Sequence, residues 1–297
     1  MSRPARIDGA GVACVRMLTD IAPAPANVIL RRWKPGPAVL VSVGLHGAAV
    51  PWLTVEPAAW PSVLALLAIN HAVLGGFGMM PRSRMLGCNH VRLPSANAAL
   101  RQVALTFDDG PDPEITPRVL DILDRSGARA SFFCIGRRAA AHPVLLRHIV
   151  GRGHSVENHT NTHPNGFPLW PPRMLRREIE TAQAVLCDFA GQAPRFFRPP
   201  AGLRSPLLHP VLTALSLEYT SWTRRGLDGV SRAPGAVLRR LSRGLAAGDI
   251  LLLHDGTRSG NAGPPAVLKV LPDLLDQLTR MGLQSVSLPM AFGLTGA

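Results

Sequence analysis

Residues of the kinds that bind metal ions and transfer protons occur at four places in this sequence, each directly after a short strand-like run. They stand in the segments Asp108-Asp109-Gly110-Pro111, His159-Thr160-Asn161-Thr162-His163, Arg198-Pro199-Pro200-Ala201-Gly202 and His254-Asp255-Gly256. Two imidazoles four residues apart can reach one metal ion, and a carboxylate completes the nitrogen and oxygen ligand sets that zinc accepts. Together these residues indicate a metal site with polar groups around it.

Each of the four segments has an ordinary explanation when it is taken alone. An Asp-Gly-Pro sequence is typical of a turn, and paired histidines are common on protein surfaces. An Arg-Pro-Pro stretch makes a rigid loop, and a histidine after a run of leucines can belong to the core. These explanations do not account for the recurrence of the same arrangement four times in one chain. The recurrence favours a functional site.

The elements that must position these residues alternate between strand-like and helix-like patterns from about residue 101 onward. Strands are predicted at Gln102–Phe107, Ala130–Ile135, His154–Asn158, Arg195–Phe197, Leu217–Trp222, Asp249–Leu253 and Leu283–Leu288, with helices around 115–126, 138–150, 173–189, 205–215, 234–246 and 265–280. Such alternation predicts an α/β fold with about seven parallel strands, in an open sheet or a barrel. Active sites of these folds form at the carboxyl ends of the strands, where all four polar segments fall.

The first hundred residues follow a different pattern. Residues 1–34 are predicted to be a mobile tail, whereas residues 35–55 and 57–81 contain no Asp, Glu, Lys or Arg. As a helix, each of these two segments is long enough to cross the roughly 30 Å hydrocarbon core of a bilayer. Trp52 and Trp60 flank the intervening tip, as residues at a membrane interface do. Residues 35–81 are therefore predicted to form a hydrophobic helical hairpin that anchors the chain in a membrane.

Basic residues at both ends of the hairpin indicate its orientation. They are Arg31, Arg32 and Lys34 before the first segment, and Arg82 and Arg84 after the second. By the positive-inside rule, both ends are expected in the cytoplasm, together with the domain that follows. The alternative is a pair of helices that is buried against that domain or lies at an interface with it. Residues 82–101 are predicted to be a linker, and residues 102–297 are predicted to be the catalytic domain.

The composition limits the class of partner. Lys and Arg total 32 and Asp and Glu total 19, which gives a net charge of +13 that is spread over the chain. Aromatic residues make up only 5%, so stacking platforms for bases are scarce and no nucleic-acid partner is expected. No specific protein partner is implied either. The four cysteines lie far apart without a CxxC pair, which argues against a thiolate zinc site.

Five motifs, taken in their order along the chain, resemble those of the polysaccharide deacetylases, the NodB homology domain of carbohydrate esterase family four. They read TFDDGP at 106–111, HTNTH at 159–163, RPPAG at 198–202, WTRRGLD at 222–228 and LLLHD at 251–255. The resemblance covers residues 101–290, about two thirds of the chain. It implies a distorted (β/α) barrel that follows the helical hairpin, and hydrolysis of an acylamino group on a sugar.

The resemblance also implies which residues perform the reaction. Asp109, His159 and His163 would hold a divalent cation, with zinc as the first choice and cobalt, nickel or manganese as alternatives. Asp108 would be the general base that takes a proton from water. His254 would be the general acid that protonates the leaving amine, because hydrolysis of an amide needs proton transfer on both sides of the scissile bond.

Further residues would support this machinery by the same resemblance. Arg198 would hold and orient the base, and Asp228 would tune the acid histidine. A backbone N–H near Ala201 would stabilise the tetrahedral oxyanion. Pro199 and Trp222 would contact the substrate.

The sequence departs from the family pattern at two of the motifs. Ala201 stands where the third motif usually has a tyrosine, and Arg225 and Gly229 replace residues of the usual acidic fourth motif. These changes alter the wall of the substrate groove and make it more basic. A substrate other than the usual polymer is therefore expected. Because the predicted hairpin places the catalytic domain on the cytoplasmic face of the inner membrane, that substrate is expected to be a lipid-linked glycan, by similarity to family members that work on that face.

The expected activity is metal-dependent removal of N-acetyl or N-formyl groups from amino-sugar residues of a glycan or a lipid-linked glycan. One alternative is a deacetylase that acts on envelope or exopolysaccharide polymers from the other side of the membrane. A second alternative is a membrane-docked carbohydrate-binding or glycan-assembly subunit without turnover. Such a subunit has no need of Asp108 and His254, and the presence of both residues favours an enzyme.

Overall fold

The computed structural model describes residues 33–231, 233–256 and 265–294. Most of the predicted tail, including Arg31 and Arg32, lies outside the described residues. The division of the chain into tail, hairpin, linker and catalytic domain stays a prediction.

Eight strands form one sheet in which the neighbouring strands are parallel. They are β1 (Gln102–Asp108), β2 (Ala130–Cys134), β3 (Ser155–Asn158), β4 (Phe196–Phe197), β5 (Glu218–Tyr219), β6 (Arg224–Arg225), β7 (Ile250–His254) and β8 (Gln284–Ser285). Their order across the sheet is β5-β4-β3-β2-β1-β7-β6, and β8 pairs with β1. Since β5 and β6 stand at the two ends of this order, the barrel is open between them. The prediction of a distorted barrel of about seven parallel strands is confirmed.

Strand β6 was not predicted, because its two residues are arginines with no apolar pattern. It pairs with β7 at one end of the sheet, with Arg225 opposite Leu252. The central strands, in contrast, read as continuous apolar runs and are buried on both faces, as expected of a parallel sheet covered on both sides. The apolar pattern of the sequence therefore locates the central strands of the sheet but not the outer strand β6.

Helices connect the strands and cover the sheet. They are α1 (Pro37–Val55), α2 (Trp60–Gly78), α3 (Ser95–Ala99), α4 (Thr116–Arg125), α5 (Gly136–Ala141), α6 (Pro143–Gly151), α7 (Pro172–Ala190), α8 (Leu208–Ala214), α9 (Pro234–Ser242), α10 (Val267–Arg280) and α11 (Leu288–Ala291). The single helix predicted around 138–150 is in fact two helices. Pro143 begins the second of them, and a proline disfavours helical geometry in the residue before it, which is His142.

The largest core lies between the sheet and the helices α4 and α10. Leu120 and Leu123 of α4 pack there with Leu271 and Leu274 of α10, beside the side chains of β1. In α4 the buried residues recur three and four positions apart, so one helix face is apolar and faces the sheet. This packing makes the sheet rigid and fixes the carboxyl ends of its strands.

Helices α1 and α2 form the predicted hairpin and project from the domain. Both are long and apolar enough to cross a membrane, and only 17% of each apolar window is buried. Eleven of the large hydrophobic side chains that the described chain exposes lie on the two helices: Leu40, Val41, Val43, Val50, Trp52, Val55, Trp60, Leu64, Leu66, Ile69 and Val73. In the described structure these helices are therefore mostly exposed, and only their base packs on the domain.

Polar contacts join the two hairpin helices to each other. Asn70 Nδ2 donates to Ser42 Oγ at 2.8 Å, and both side chains are buried. The rings of His46 and His71 lie edge to face with their centroids 5.2 Å apart. The hydrogen bond between Asn70 and Ser42 fixes the register of the two helices, because a shift would leave a buried polar side chain without its partner.

The base of the hairpin packs directly on the domain. The N–H of Ala38 donates to Met85 O at 3.0 Å, and the N–H of Arg204 donates to Gly78 O at 3.2 Å. The predicted linker continues along the domain, where His90 forms a bridge with Thr220. The hairpin is therefore held next to the loop that carries the Arg-Pro-Pro motif.

Candidate active site

A cleft opens at the carboxyl ends of the strands and contains most of the residues that the sequence singled out. Its described lining consists of Asp108, Asp109, His159, His163, Ala201, Trp222, Arg225, Leu252 and His254. Arg198 lies beneath Asp108, and Asp228 lies behind His254. Pro199 precedes Ala201 in the chain and is buried, but it is not part of the lining.

The loop after β1 turns sharply so that two consecutive aspartates serve the same cleft. Asp108 is the last residue of the strand, and Asp109 has a positive φ of 74°. Gly110 follows and lies against the carboxylate of Asp255, where a Cβ would stand 2.4 Å from Oδ2. Only glycine permits this approach, which locks the loop after β1 onto the loop after β7.

The segment 159–163 is a loop and not a helical turn. Asn158 Oδ1 accepts the N–H of Thr160, and Thr160 Oγ1 accepts the N–H of His163, both at 3.0 Å. Thr160 and His163 both have positive φ, at 68° and 55°. The loop thus folds back on itself and brings the imidazole rings of His159 and His163 to a centroid distance of 5.1 Å.

Asp109, His159 and His163 form the one group among the described residues that could hold a metal ion. Asp109 Oδ1 lies 3.3 Å from His159 Nε2 and 3.2 Å from His163 Nε2. Tetrahedral ligands at zinc, with bonds of about 2.0–2.1 Å, are about 3.3–3.4 Å apart. His159 Nδ1 donates to Arg198 O at 2.7 Å, which leaves the Nε2 lone pair for a cation. The donor set and its spacing therefore fit a divalent metal.

The charge of this group is set by its neighbours. Burial alone would raise the pKa of Asp109, but when no cation is bound, hydrogen bonds from the Nε2–H groups of His159 and His163 hold this pKa well below its usual range. Burial likewise acts to lower the pKa of His159, and the nearby Asp108 and Asp109 carboxylates raise it overall. Asp109 is therefore an anion, as a metal ligand must be.

Arg198 lies completely buried under the cleft and holds Asp108. Its Nη1 donates to Asp108 Oδ1 at 2.7 Å and to Thr106 Oγ1 at 3.0 Å, and its Nη2 donates to Ser221 O at 2.8 Å. The guanidinium carbon also lies 4.1 Å from the centre of the Phe133 ring. A buried charge with this many partners has one available orientation, so Asp108 is held in one as well.

His254 stands at the end of β7 and is paired with Asp228. His254 Nδ1 donates to Asp228 Oδ1 at 2.9 Å, and the backbone N–H of His254 donates to Oδ2 of the same carboxylate at 2.8 Å. Burial acts to lower the pKa of His254, but the hydrogen bond and the charge of Asp228 outweigh burial and raise it. The imidazole is therefore kept in a protonated, donating state to higher pH than an ordinary histidine.

The loop 198–203 presents one backbone donor at the cleft. The N–H of Arg198 donates to Asn158 O, that of Gly202 to Pro199 O and that of Leu203 to Pro200 O. The two prolines have no N–H. Among the described hydrogen bonds this leaves the N–H of Ala201, a residue that lines the cleft with a φ of 55°.

Sequence reasoning did not assign a role to several residues that build the cleft. Thr106 lies two positions before Asp108 on β1, so it shares its face, and that spacing was a signal for its contact with Arg198. The carbonyls of Thr220 and Ser221, which accept from Arg198, carried no such signal. Arg225 was noted only as a departure from a motif, although its side chain lines the cleft.

The arrangement is that of a hydrolase with a metal-competent triad between a carboxylate and a histidine. A family model for polysaccharide deacetylases matches residues 96–220. A chitooligosaccharide deacetylase from Bradyrhizobium sp. (strain ANU 289) is 34% identical over 204 residues, which cover 64% of this chain and 90% of the relative. The chain belongs to the polysaccharide deacetylase family.

Solved structures share the fold. The crystal structure of a peptidoglycan N-acetylglucosamine deacetylase has a TM-score of 0.63 and 28% identity, and the match covers 70% of this chain and 94% of that one. A family-four pseudoenzyme from Bacillus anthracis has a TM-score of 0.62 at 21% identity, over 71% of this chain and 70% of the other. That second likeness concerns the fold alone, so the catalytic groups themselves must carry any statement about mechanism.

Proposed function

We propose that this protein removes N-acetyl or N-formyl groups from amino-sugar residues of a glycan by metal-dependent hydrolysis. One observation carries the proposal: Asp108, held by Arg198, and His254, held by Asp228, line the same cleft as the Asp109, His159 and His163 triad. The relative from Bradyrhizobium is named a chitooligosaccharide deacetylase, and the crystallised enzyme is named a peptidoglycan N-acetylglucosamine deacetylase. A binding subunit without turnover would need neither an oriented base nor a tuned acid.

The residues of the triad would hold a divalent cation, with zinc preferred for its imidazole and carboxylate ligands. When bound, such a cation activates water and polarises the amide carbonyl. Asp108 takes a proton from the attacking water, and the Ala201 N–H donates to the oxygen that becomes negative. His254 then gives its proton to the departing amine, which leaves as the free amino sugar while the acyl group leaves as acetate or formate.

Replacing His163 with alanine should release the metal. The variant loses one of three protein ligands, so its affinity for zinc should fall by more than the roughly 10- to 100-fold that follows from loss of an outer partner of a ligand. Competition with a chromophoric chelator measures the affinity. His148→Ala, on the exposed face of α6, is the matched control and should keep wild-type affinity. Equal zinc affinity in the two variants would rule out the triad as the metal site.

Replacing Asp228 with asparagine should change the pH profile. Asp228 raises the pKa of His254, and the acid works only while it is protonated, so the alkaline limb of kcat/KM should move to lower pH in the variant. We expect kcat to fall as well, by no more than the about 10²- to 10⁴-fold that a general acid contributes. Asp273→Asn on the exposed face of α10 removes the same charge and should leave the limb in place. An unchanged limb in Asp228→Asn would mean that His254 is not the acid.

The hairpin supports a more specific substrate, a lipid-linked amino-sugar glycan. Pro81, at the end of the hairpin, packs against Gly202, and Gly202 packs against Trp222 of the cleft: a Cβ at Gly202 would lie 2.8 Å from Pro81 Cβ and 2.6 Å from the Trp222 ring. Ala201, beside Gly202, lines the cleft with a small side chain. The entrance is thus adjacent to the place where the chain would enter a bilayer.

The orientation of the hairpin in the membrane follows from the basic residues at its base. Lys34, Arg82 and Arg84 surround the base of the hairpin, and the positive-inside rule assigns such an end to the cytoplasm. We therefore infer that the protein resides in the inner membrane and that its cleft faces the cytoplasm. A reporter fused after residue 297 should be active only if it works in the cytoplasm, and one inserted at Glu56 should show the opposite behaviour. The reverse pattern would place the cleft outside.

The proposed activity is tested by release of acetate and formate from zinc-loaded protein in detergent. The substrates are N-acetylglucosamine oligomers and polyprenyl-linked N-acyl amino sugars, each assayed with wild type, with Asp108→Asn and with metal-stripped protein. Turnover of the lipid-linked set alone supports the membrane substrate, whereas turnover of the oligomers points to a polymer deacetylase. Absence of turnover in every arm would contradict the proposed function.

A further inference from the structure

A second cavity lies at the base of the hairpin, and we call it the base cavity. Its volume of about 830 Å³ is within the range of sites that bind small molecules. Residues within 34–37 and 84–88, at the two ends of the hairpin, form one side of it, and residues within 209–219 of the domain form the other. None of its described lining residues lines the catalytic cleft. A ligand in the base cavity is therefore distinct from a sugar in the cleft.

Basic side chains line the mouth of the base cavity. Lys34 and Arg84 both line it and are exposed, and among the described residues neither is paired with a carboxylate. Glu218 is the acid among the described lining residues, and its Oε2 lies 3.1 Å from His90 Nε2. Two cations therefore face the cavity beside one carboxylate that already has a partner.

A buried arginine adds positive charge behind the wall of the base cavity. Arg204 is 3% exposed, and its guanidinium carbon lies 4.2 Å from the centre of the Tyr219 ring, which lines the cavity. Its Nη2 donates to Ser83 O at 2.7 Å, and no described carboxylate is paired with it. Burial of a cation without an anionic partner is costly, so an anion in the adjacent cavity would offset part of this cost.

Apolar residues make up much of the remaining wall. Pro35, Pro37, Leu217 and Tyr219 line the base cavity next to the start of α1. If the hairpin crosses a bilayer, this is the level at which headgroups give way to hydrocarbon. A ligand that matches both parts of the cavity carries an anionic group beside apolar chains. Anionic phospholipids have this chemistry, and the cytoplasmic leaflet contains them.

We propose that the base cavity binds one anionic phospholipid, with its phosphate between Lys34 and Arg84 and its first acyl carbons against the apolar wall. The proposal goes beyond the proposed hydrolysis and rests on the membrane placement inferred above for the hairpin. The bound lipid is a partner and not a substrate, because it lies outside the cleft. It would hold the base of the hairpin against the domain at the surface of the leaflet.

The test compares Arg84→Gln with Arg82→Gln. Arg82 lies at the same hairpin base but outside the base cavity, and its Nη1 donates to Thr223 O at 3.2 Å. The whole chain in a neutral detergent is titrated with dioctanoyl phosphatidylglycerol, and calorimetry measures binding. We expect one saturable site in wild type and a loss of affinity of about 10- to 100-fold in Arg84→Gln. Arg82→Gln should lose no more than about fivefold, the effect of diffuse attraction, and an equal loss in both variants would overturn the proposal.

Two other ligands identify what the site recognises. Dioctanoyl phosphatidylcholine has the same chains and a phosphate without net charge, and inorganic phosphate has the charge without the chains. We expect each to bind at least about 10-fold more weakly than phosphatidylglycerol. Inorganic phosphate that binds as tightly would assign the cavity to a soluble anion, and phosphatidylcholine that binds as tightly would remove the role of the basic residues. Either result would overturn the proposal.

A variant that fills the base cavity keeps every charge. Thr213 lines the cavity and donates from its hydroxyl to His209 O, whereas Thr181 is exposed on α7 and makes the same kind of bond to Arg177 O. Thr213→Trp should abolish the saturable site, and Thr181→Trp should bind like wild type, with near-ultraviolet circular dichroism to show that both are folded. Wild-type binding by folded Thr213→Trp would mean that the lipid binds elsewhere.

A photoreactive p-benzoylphenylalanine at Thr213 identifies the occupant in membranes. A crosslink to phosphatidylglycerol supports the proposal, and a crosslink to a peptide of this chain, from the same molecule or a second copy, would overturn it. Binding needs no turnover, so the outcomes are separable. If the lipid binds as expected and no amino sugar is hydrolysed, the lipid site stands and the proposed activity fails. If hydrolysis is observed and the Arg84 and Arg82 variants bind alike, the activity stands and the lipid site fails.

Discussion

Asp108→Asn should lower kcat by about 10²- to 10⁴-fold, the contribution that a general base makes. Asparagine has nearly the same shape and can still accept from Arg198 Nη1, which lies 2.7 Å from Asp108 Oδ1. The asparagine side chain cannot take up a proton, so the attacking water keeps both of its protons. Release of acetate or formate under saturating substrate measures the loss.

The variant should differ from wild type in this respect alone. Asp109, His159 and His163 are unchanged, so zinc content measured by mass spectrometry should stay at the wild-type ratio. Arg198 keeps its bonds to Thr106 and Ser221, so the fold should persist. An Asp108→Asn protein that turns over like wild type would falsify the assignment of the base, and loss of the metal would show that Asp108 is a ligand.

Arg198→Met should have the largest effect on stability, a loss of about 3–5 kcal/mol in the free energy of unfolding. Arg198 is completely buried and Asp108 is almost so. Removing the cation leaves the carboxylate without its partner and leaves the carbonyls of Thr220 and Ser221 without their donor. Urea unfolding in detergent, followed by the near-ultraviolet signal of the domain, measures the change.

A second variant separates the ion pair from simple loss of packing. In Asp108→Leu/Arg198→Met the unpaired carboxylate is gone, and part of the stability should return. Arg239→Gln, on the surface, should stay within about 0.5 kcal/mol of wild type. If Arg198→Met were as stable as Arg239→Gln, the buried arginine would not hold Asp108 in the way that its hydrogen bonds imply.

The sequence predicted the centre of the fold better than its edges. Strands β1, β2 and β7 are buried on both faces, so each appears in the sequence as a mainly apolar run, and β1 and β7 end in the polar residues Asp108 and His254. Strand β6 consists of Arg224 and Arg225 and owes its conformation to pairing with β7, which no local pattern reveals. Pairing between segments that are distant in the sequence, as here, is revealed only by the structure.

The site was predictable to the extent that its residues follow strands. The positions of Asp109, His159 and His163 at strand ends indicated a shared metal site, but their spacing in space depends on the positive φ of Asp109 and on the hydrogen bond from His163 N–H to Thr160. The carbonyls that hold Arg198 are backbone groups, and any residue type could supply them. Residue identity therefore indicates the chemistry, while the backbone decides its geometry.

The contact of Pro81 with Gly202 fixes the height of the cleft above the hairpin. With the hairpin in a bilayer, this contact would keep the catalytic loop close to the surface of the leaflet. Enzyme and lipid-borne sugar would then meet by lateral diffusion in two dimensions, where the local concentration is set by the confinement of both partners. The rate would follow the mole fraction of substrate in the leaflet, and dilution of the whole suspension would leave it unchanged.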